Sequence, residues 1–430
     1  MAEHVAPIDT SLEAVRRLAL AKQHLLGPLP ARVTAATALR VVRDLGCLQL
    51  DPINVVAPSH RLVLWSRLGN YRDEVLDRLL WRDRTLFEYW GHQASIVLTE
   101  DYPLFSGMMR GADRAAPRGL GRHWRRDVDR WVAAHPALRD SVLAELRDRG
   151  PLFSSELTGP RPRRPVRGWG SGGDLANMLQ ILFLRGEVMV AGRSGLQRLW
   201  DLPERCLPAW TPREERSVAD VEYEAVQRSL KALGVASVGE IDHHFLRHRY
   251  PTLRATVARL ESESRILRVR IHDAPPDRPR YVHRDDRRQL ERYESEVPSY
   301  RTTLLSPFDN LICDRSRTEQ LFGYRYRFEG YVPKAKREFG PYTLSILHGG
   351  ALIGRIDPWF DRDRGELRVR GVHAEPRAPR DGATGRAIRD AIGVLAAFLG
   401  AGSVRFAGPV PSGWRAALVG RRITSEPAFS

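Results

Sequence analysis

The sequence predicts an α+β protein in which sets of helices, each closed by a short pair of strands, are followed by a run of antiparallel strands. Three observations predict it. Apolar residues recur at helical spacing as far as about residue 290. Three of the helical runs lead into strand-like stretches separated by turn residues. From about residue 298 that periodicity gives way to short β-rich runs with turns at regular intervals. The 430 residues, 42% of them apolar, are enough for roughly two to four folded domains.

The first set opens with Thr10-Ser11-Leu12-Glu13, which fits a capping box because Glu13 follows Thr10 by three residues. Leu12, Val15, Leu18 and Leu25 then keep helical spacing until "GPLP". A second helix is expected over about Thr34 to Leu45, ended by Gly46, and then comes the extended "CLQLDP". A helix near Asp73 to Leu80 and two strands, "TLFEYW" and "ASIVL", complete the set. The second set reads "SVLAELRDRGPLFSSEL" as a helix, a Gly-Pro turn and a short helix from about Ser154. A basic, Pro-rich loop at 160–173 precedes a helix from about Asp174. The strands "EVMVAG" and "RSGLQRLWDL" follow, with Ser194-Gly195 at the turn.

The third set places helices near Asp220–Leu233, Val238–His248 and Pro251–Ser262. Strands "RILRVRIH" and "PRYVHRD" close it. Helices followed by a basic hairpin are the order of a winged helix-turn-helix. The expected architecture is therefore tandem winged helix-turn-helix units followed by a small antiparallel β-barrel-like C-terminal domain. The segments are 1–125, 126–212, 213–297 and 298–430. In the last, "YRTTLLSPFDNLICD", "YRYRFEGYVP", "YTLSILHGGALIGRID" and "GELRVRGVHAE" read as strands, with Gly349-Gly350 as a hairpin turn. A helix over Gly385–Leu399 and the strand "SVRFAG" follow.

The net charge of +16 suits a polyanionic partner, nucleic acid above all. Only four of the 68 basic residues are lysine. Such an arginine skew can reflect a GC-rich genome, but codon bias alone does not leave sixteen charges unbalanced. The N-terminus lacks a signal-peptide pattern, and "AIGVLAAFL" is too short to span a bilayer. A cytoplasmic, nucleoid-associated protein is the expectation, with no membrane partner and a monomer as the default. Cys47, Cys206 and Cys313 are far apart and no metal-ligand spacing occurs, so neither a metal nor a cofactor is expected. No P-loop is present, no glycine run sits between a strand and a helix, and Asp285-Asp286 reads as a solvated pair.

What remains is "GCLQLDP". In an extended chain Gln49 and Asp51 fall on the same face, an amide beside a carboxylate. The pair is either the wet face of an edge strand, or a cap for the next segment, or a device for holding a water molecule. A non-catalytic winged-helix transcriptional regulator is the competing reading of the whole chain. Three such units in one chain, with the polar pair outside a recognition helix, argue against it.

"LQLDPINVVAPSHRLVLWSRLGNY", "FEYWGHQASIV" and the stretch from "LLSPFDNLICD" to "GGALIGRID" together resemble the winged-helix DNA glycosylases of the YcaQ/AlkZ type, from about residue 10 to 400. In that family a Gln-apolar-Gln or Gln-apolar-Asp motif carries catalysis, and here it reads Gln49-Leu50-Asp51. The resemblance implies a monofunctional glycosylase that excises N7-alkylated purines from double-stranded DNA and unhooks interstrand crosslinks. It also implies catalytic roles for Asp51 and Gln49. Trp90 and His92 lie in the resembling stretches and are candidates to line the cleft, against the plainer reading that Trp90 is core and His92 a satisfied buried histidine. Arg61, Arg193, Arg198, Arg315 and Arg317 are candidates for phosphate contacts, although each alone is as readily an ordinary surface arginine.

Overall fold

The computed structural model describes residues 6–111, 124–158, 173–273 and 278–419. The basic loop expected at 160–173 lies outside the described residues, Gly173 excepted. The fold is mixed α and β, as the periodicities indicate. Packing gathers the chain into two compact units, each discontinuous in sequence: Met1–Val75 with Gln227–Ile241 and Arg259–Ser430, and Leu76–Val226 with Asp242–Ala258.

The first unit is organised around the helix Leu12–Lys22. Ala14, Val15, Leu18 and Ala19 pack with Ile8, Val235, Leu267, Val269 and Val282. Leu20, with Leu25 beyond the helix, enters a second cluster containing Leu305, Ile312, Tyr324, Tyr326 and Leu347. One helix with apolar residues on more than one side thus serves two cores. Its cap is Ser11, whose hydroxyl accepts from the Ala14 N–H at 3.1 Å, rather than Thr10. Thr10 ends a strand, Ile8–Thr10, and its hydroxyl bonds the Glu294 carboxylate instead. Glu13 faces Arg16 and Arg17.

A four-stranded sheet follows the order Ile8–Thr10, Ile266–Ile271, Arg280–His283, Val235–Ser237, with the first pair parallel and the others antiparallel. The C-terminal segment forms a five-stranded sheet: Thr303–Leu305, Leu344–His348, Ala351–Asp361, Glu366–Ala374 and Ser403–Phe406. It is open rather than barrel-like, and its last pair is parallel because the helix Gly382–Phe398 carries the chain back before Ser403. Gly349 and Gly350 take φ of 58° and 79° in the expected two-residue hairpin turn, where a side chain would be strained. "YRYRFEGYVP" is not a strand: it runs unpaired into a turn.

The second unit contains the hairpin Leu86–Trp90 and Ala94–Leu98, the helices Tyr102–Met109, Pro136–Arg149 and Gly173–Leu184, and a three-stranded sheet. Phe87, Tyr89, Phe105, Phe183 and Phe245 form its aromatic core, with neighbouring ring centroids 5.6–6.4 Å apart. The helix expected from Ser154 is instead a turn, because Glu156 closes on Phe153 through both its N–H and its carboxylate. The helix from Val238 stops at His243, and Arg247 and His248 take positive φ of 38° and 60°. Asp286, expected to be solvated, is buried and paired with Lys22 at 2.8 Å. Among the described residues no helix is long and apolar enough to cross a membrane, and no acidic, histidine or cysteine cluster has the makings of a metal site.

Candidate active site

The helix Ala35–Leu45 begins at Thr34, whose hydroxyl accepts from Thr37, and ends at Gly46, whose φ of 81° turns the chain sharply. That turn buries Cys47 and Leu48 and leaves Gln49, Leu50 and Asp51 half-buried. The strand is only Leu48–Gln49, so Asp51 lies just beyond it. One oxygen of Asp51 accepts the Ile53 N–H at 2.9 Å, an Asx turn that starts the loop beyond the motif. Among the described residues no cation pairs with this carboxylate. Burial raises its pKa above the usual aspartate value, and the Ile53 N–H offsets that only in part. Among the described residues the Gln49 amide has no hydrogen-bond partner. A half-buried anion and a free amide two residues apart can together hold and orient a water molecule.

The ground behind the motif is built from one short stretch, Ser306 to Asn310. Asn310 donates its amide to the carbonyls of Leu45 at 3.3 Å and Cys47 at 3.1 Å, fixing the chain just before the motif. Asp309 forms a fully buried, two-pronged ion pair with Arg67. Ser306 bonds Ser59 at 2.8 Å, so Ser306 and Asp309 both hold the helix Ser59–Leu68 that comes after the motif loop. The Tyr342 hydroxyl lies 3.4 Å from Ser306. Burial pushes this phenol's pKa up, and the negative charge of Asp51 pushes in the same direction. The loop itself is held by the C-terminal sheet. Phe360 donates to the Val55 carbonyl at 3.2 Å, and Arg362 reaches Asn54 at 2.7 Å and the Val56 carbonyl at 3.0 Å.

The other candidates divide by environment. Trp90 and His92 are at the tip of the hairpin in the second unit. His92 is buried; its Nδ1 bonds the His243 carbonyl at 3.0 Å and its Nε2 lies 3.0 Å from an Arg247 nitrogen. Burial, with the positive neighbours Arg247, His244 and His243, holds its pKa well below the ordinary value, so the ring is neutral, with Nδ1–H donating and Nε2 accepting. Arg249 donates to the Trp90 carbonyl at 2.9 Å, while the Trp90 indole N–H is buried without a partner among the described residues. Arg61 pairs with Asp73. Arg193 grips the buried Glu88, and Arg198 lies over the Phe183 and Trp200 rings. Arg317 is buried and donates to the carbonyls of Leu233 and Val235. Of the five arginines only Arg315 is exposed.

Sequence reasoning did not single out Asn310, Tyr342, Ser59, Ser306 or Arg362. The available signal was the polar stretch "SPFDN" interrupting an apolar run: buried polar side chains are kept where they have partners.

Architecture and site together describe a multi-unit α+β protein that carries, on a braced loop, a half-buried carboxylate with no cation partner among the described residues. The fold is that of a solved DNA glycosylase: the Streptomyces sahachiroi DNA glycosylase AlkZ matches over 94% of this chain and 100% of its own, with a TM-score of 0.62 and 18% identity. Residues 42–398 match the DNA glycosylase AlkZ-like family, and the chain belongs to it. It is thus a DNA glycosylase, a hydrolase of DNA repair.

Proposed function

We propose that this glycosylase hydrolyses the N-glycosidic bond of N7-alkylated purines in duplex DNA, including one arm of an interstrand crosslink. The observation that carries the reading is Asp51: a half-buried carboxylate with no cation partner among the described residues, two positions from a Gln49 amide that also has no partner among them, in a chain of this family. Alkylation at N7 makes the base cationic, so it leaves without a general acid. The remaining work is to stabilise the oxocarbenium-like sugar and to aim a water at C1′. An aspartate does both, through its field and by accepting the water's proton as the C–O bond forms. Gln49 fixes the water with one donor and one acceptor.

Along the sequence no lysine lies between Lys22 and Lys231, so none adjoins the motif to form a Schiff base, which supports a monofunctional enzyme. A crosslinked base is tethered to the opposite strand and cannot be swung fully out, so the reaction must proceed on a base still near the stack. This differs from enzymes that flip their target into a closed pocket. On this reading the three helix-and-hairpin sets, within 1–125, 126–212 and 213–297, are winged helices that grip duplex DNA. The segment 298–430 braces the catalytic loop. Trp90 and His92 would then act as cleft scaffolding, and Arg315 is the preferred phosphate contact among the five arginines. Family membership disfavours the regulator reading.

The test uses duplexes with an N7-alkylguanine monoadduct or a nitrogen-mustard crosslink, with alkali to reveal abasic sites. Wild type should release the base from both. Asp51→Asn should lose at least about a hundredfold in rate while still binding DNA, and Gln49→Ala should lose less. Breaks without alkali, or a borohydride-trapped adduct, would contradict the monofunctional mechanism. Binding without release on either lesion would sink the substrate assignment.

A further inference from the structure

The loop 328–341 is built to present one aromatic ring to solvent. Tyr331 is 83% exposed, the most exposed large hydrophobic side chain among the described residues. An idle tip would be expected to be loosely held, whereas this one is braced from below. The buried Glu329 carboxylate accepts the N–H groups of Glu338, Phe339 and Gly340 at 2.9–3.0 Å, closing the loop at its base. Arg337 donates to the Val332 carbonyl at 2.8 Å, and Lys336 N–H bonds the Pro333 carbonyl at 2.8 Å. The Phe328 ring folds so closely over Gly330 that a Cβ there would collide with it. Phe328 in turn supports Tyr331 edge-on, with centroids 5.6 Å apart.

The same ring connects the tip to the candidate active site. Phe328 packs on Phe308 at 5.1 Å and on Tyr342 at 6.3 Å, and Tyr342 feels the charge of Asp51. Lys334 and Lys336, two of only four lysines in the chain, are exposed on the turn just after Tyr331. They carry no ion pair among the described residues.

We infer that Tyr331 is a stacking wedge for duplex DNA, which presses on the bases beside the lesion while Lys334 and Lys336 hold the flanking phosphates. The inference rests on the proposed function, because it takes Asp51 to mark where the sugar sits. It supplies what that reading lacks: a way to loosen the stack around a base that cannot be flipped out. Aromatic rings stack on bases of any sequence, and compact ammonium groups hold phosphates without reading sequence.

The experiment places 2-aminopurine next to an N7-alkylguanine in a duplex and measures its fluorescence on binding, together with affinity and single-turnover release. Wild type and Asp51→Asn should both change the fluorescence, since unstacking does not need chemistry. Tyr331→Ala should remove the change and weaken binding about tenfold, whereas Tyr331→Trp and Tyr331→Phe should retain both. Lys334→Ala with Lys336→Ala should reduce the salt slope of log K by about two. Tyr331→Ala with unaltered fluorescence and affinity overturns the wedge, whatever the excision assay shows. Conversely, lost fluorescence in a protein that releases no base keeps the wedge and removes only the substrate assignment.

Discussion

On the proposed function Asp51 must act as a base free of guanidinium groups, and among the described residues this half-buried carboxylate pairs with none of them. Its raised pKa has two consequences of opposite sign for activity and stability. On the proposed function activity needs the anion, so the acid limb of single-turnover base release should fall at a pH above the ordinary aspartate range of about 3.9. No alkaline limb from a general acid should appear. For stability, a folded-state pKa above the unfolded one means that the ionised form is disfavoured by folding at neutral pH. The cost is present above the folded pKa and disappears as pH drops below the unfolded one. Asp51→Asn keeps an oxygen for the Ile53 N–H and removes that cost. Its Tm at pH 7.5 should equal or exceed that of wild type even as excision is lost, and a clear drop in Tm would show the ionised side chain to be structural. The Gln49–Asp51 pair was legible in sequence because both residues are polar within an apolar context. Its environment was not, since the contacts that brace the chain before and after it, Asn310 on Cys47 and Ser306 on Ser59, join residues more than two hundred positions apart.

At the scale of elements, local rules worked where one residue's chemistry decides the backbone. Thr34 starts a helix, Gly46 ends it, and Gly349-Gly350 turns a hairpin, all as the sequence indicates. They failed where tertiary partners compete. Thr10 has capping chemistry but is claimed by Glu294, so Ser11 caps; "YRYRFEGYVP" has strand composition but finds no partner strand. The stretch Ser306–Asn310 is the clearest such case, because its meaning lies in the segments it ties together. Asn310→Ala leaves two carbonyls before the motif without their donor, at a cost of about 1–3 kcal/mol. It should lower the rate of base release more than DNA affinity, an effect that stopped-flow release and anisotropy can separate. Asp309→Leu strands a fully buried Arg67 and should cost about 3–5 kcal/mol. The double variant Arg67→Met, Asp309→Leu should recover much of that loss. Denaturation of the four proteins in the cycle measures this, and additive losses would mean that the pair is not coupled.

At the scale of the whole molecule, the charge of +16 indicates DNA without locating it. Four of the five arginines picked from sequence are at least half-buried and engaged within the protein, by Asp73, by Glu88, by aromatic rings or by buried carbonyls, and the exposed Arg315 itself lies over the Tyr326 ring. An arginine's presence in a basic chain therefore says little about phosphate contact; what counts is the charge left over after the acids have been served. The sequence "RPRRPVR" sets Arg161, Arg163, Arg164 and Arg167 close together with no acidic residue among them. Each phosphate neutralised contributes about 0.9 to the slope of log K against log salt. Replacing those four arginines with glutamine should therefore flatten the slope by more than one on undamaged duplex DNA. The rate of release from saturated complexes should stay unchanged, because the proposed function assigns the chemistry to Asp51. Replacing Arg317 instead should leave the slope as it is and lower Tm, because its guanidinium serves the Leu233 and Val235 carbonyls inside the fold. An Arg317 variant that flattened the slope without losing stability would return that residue to the DNA interface.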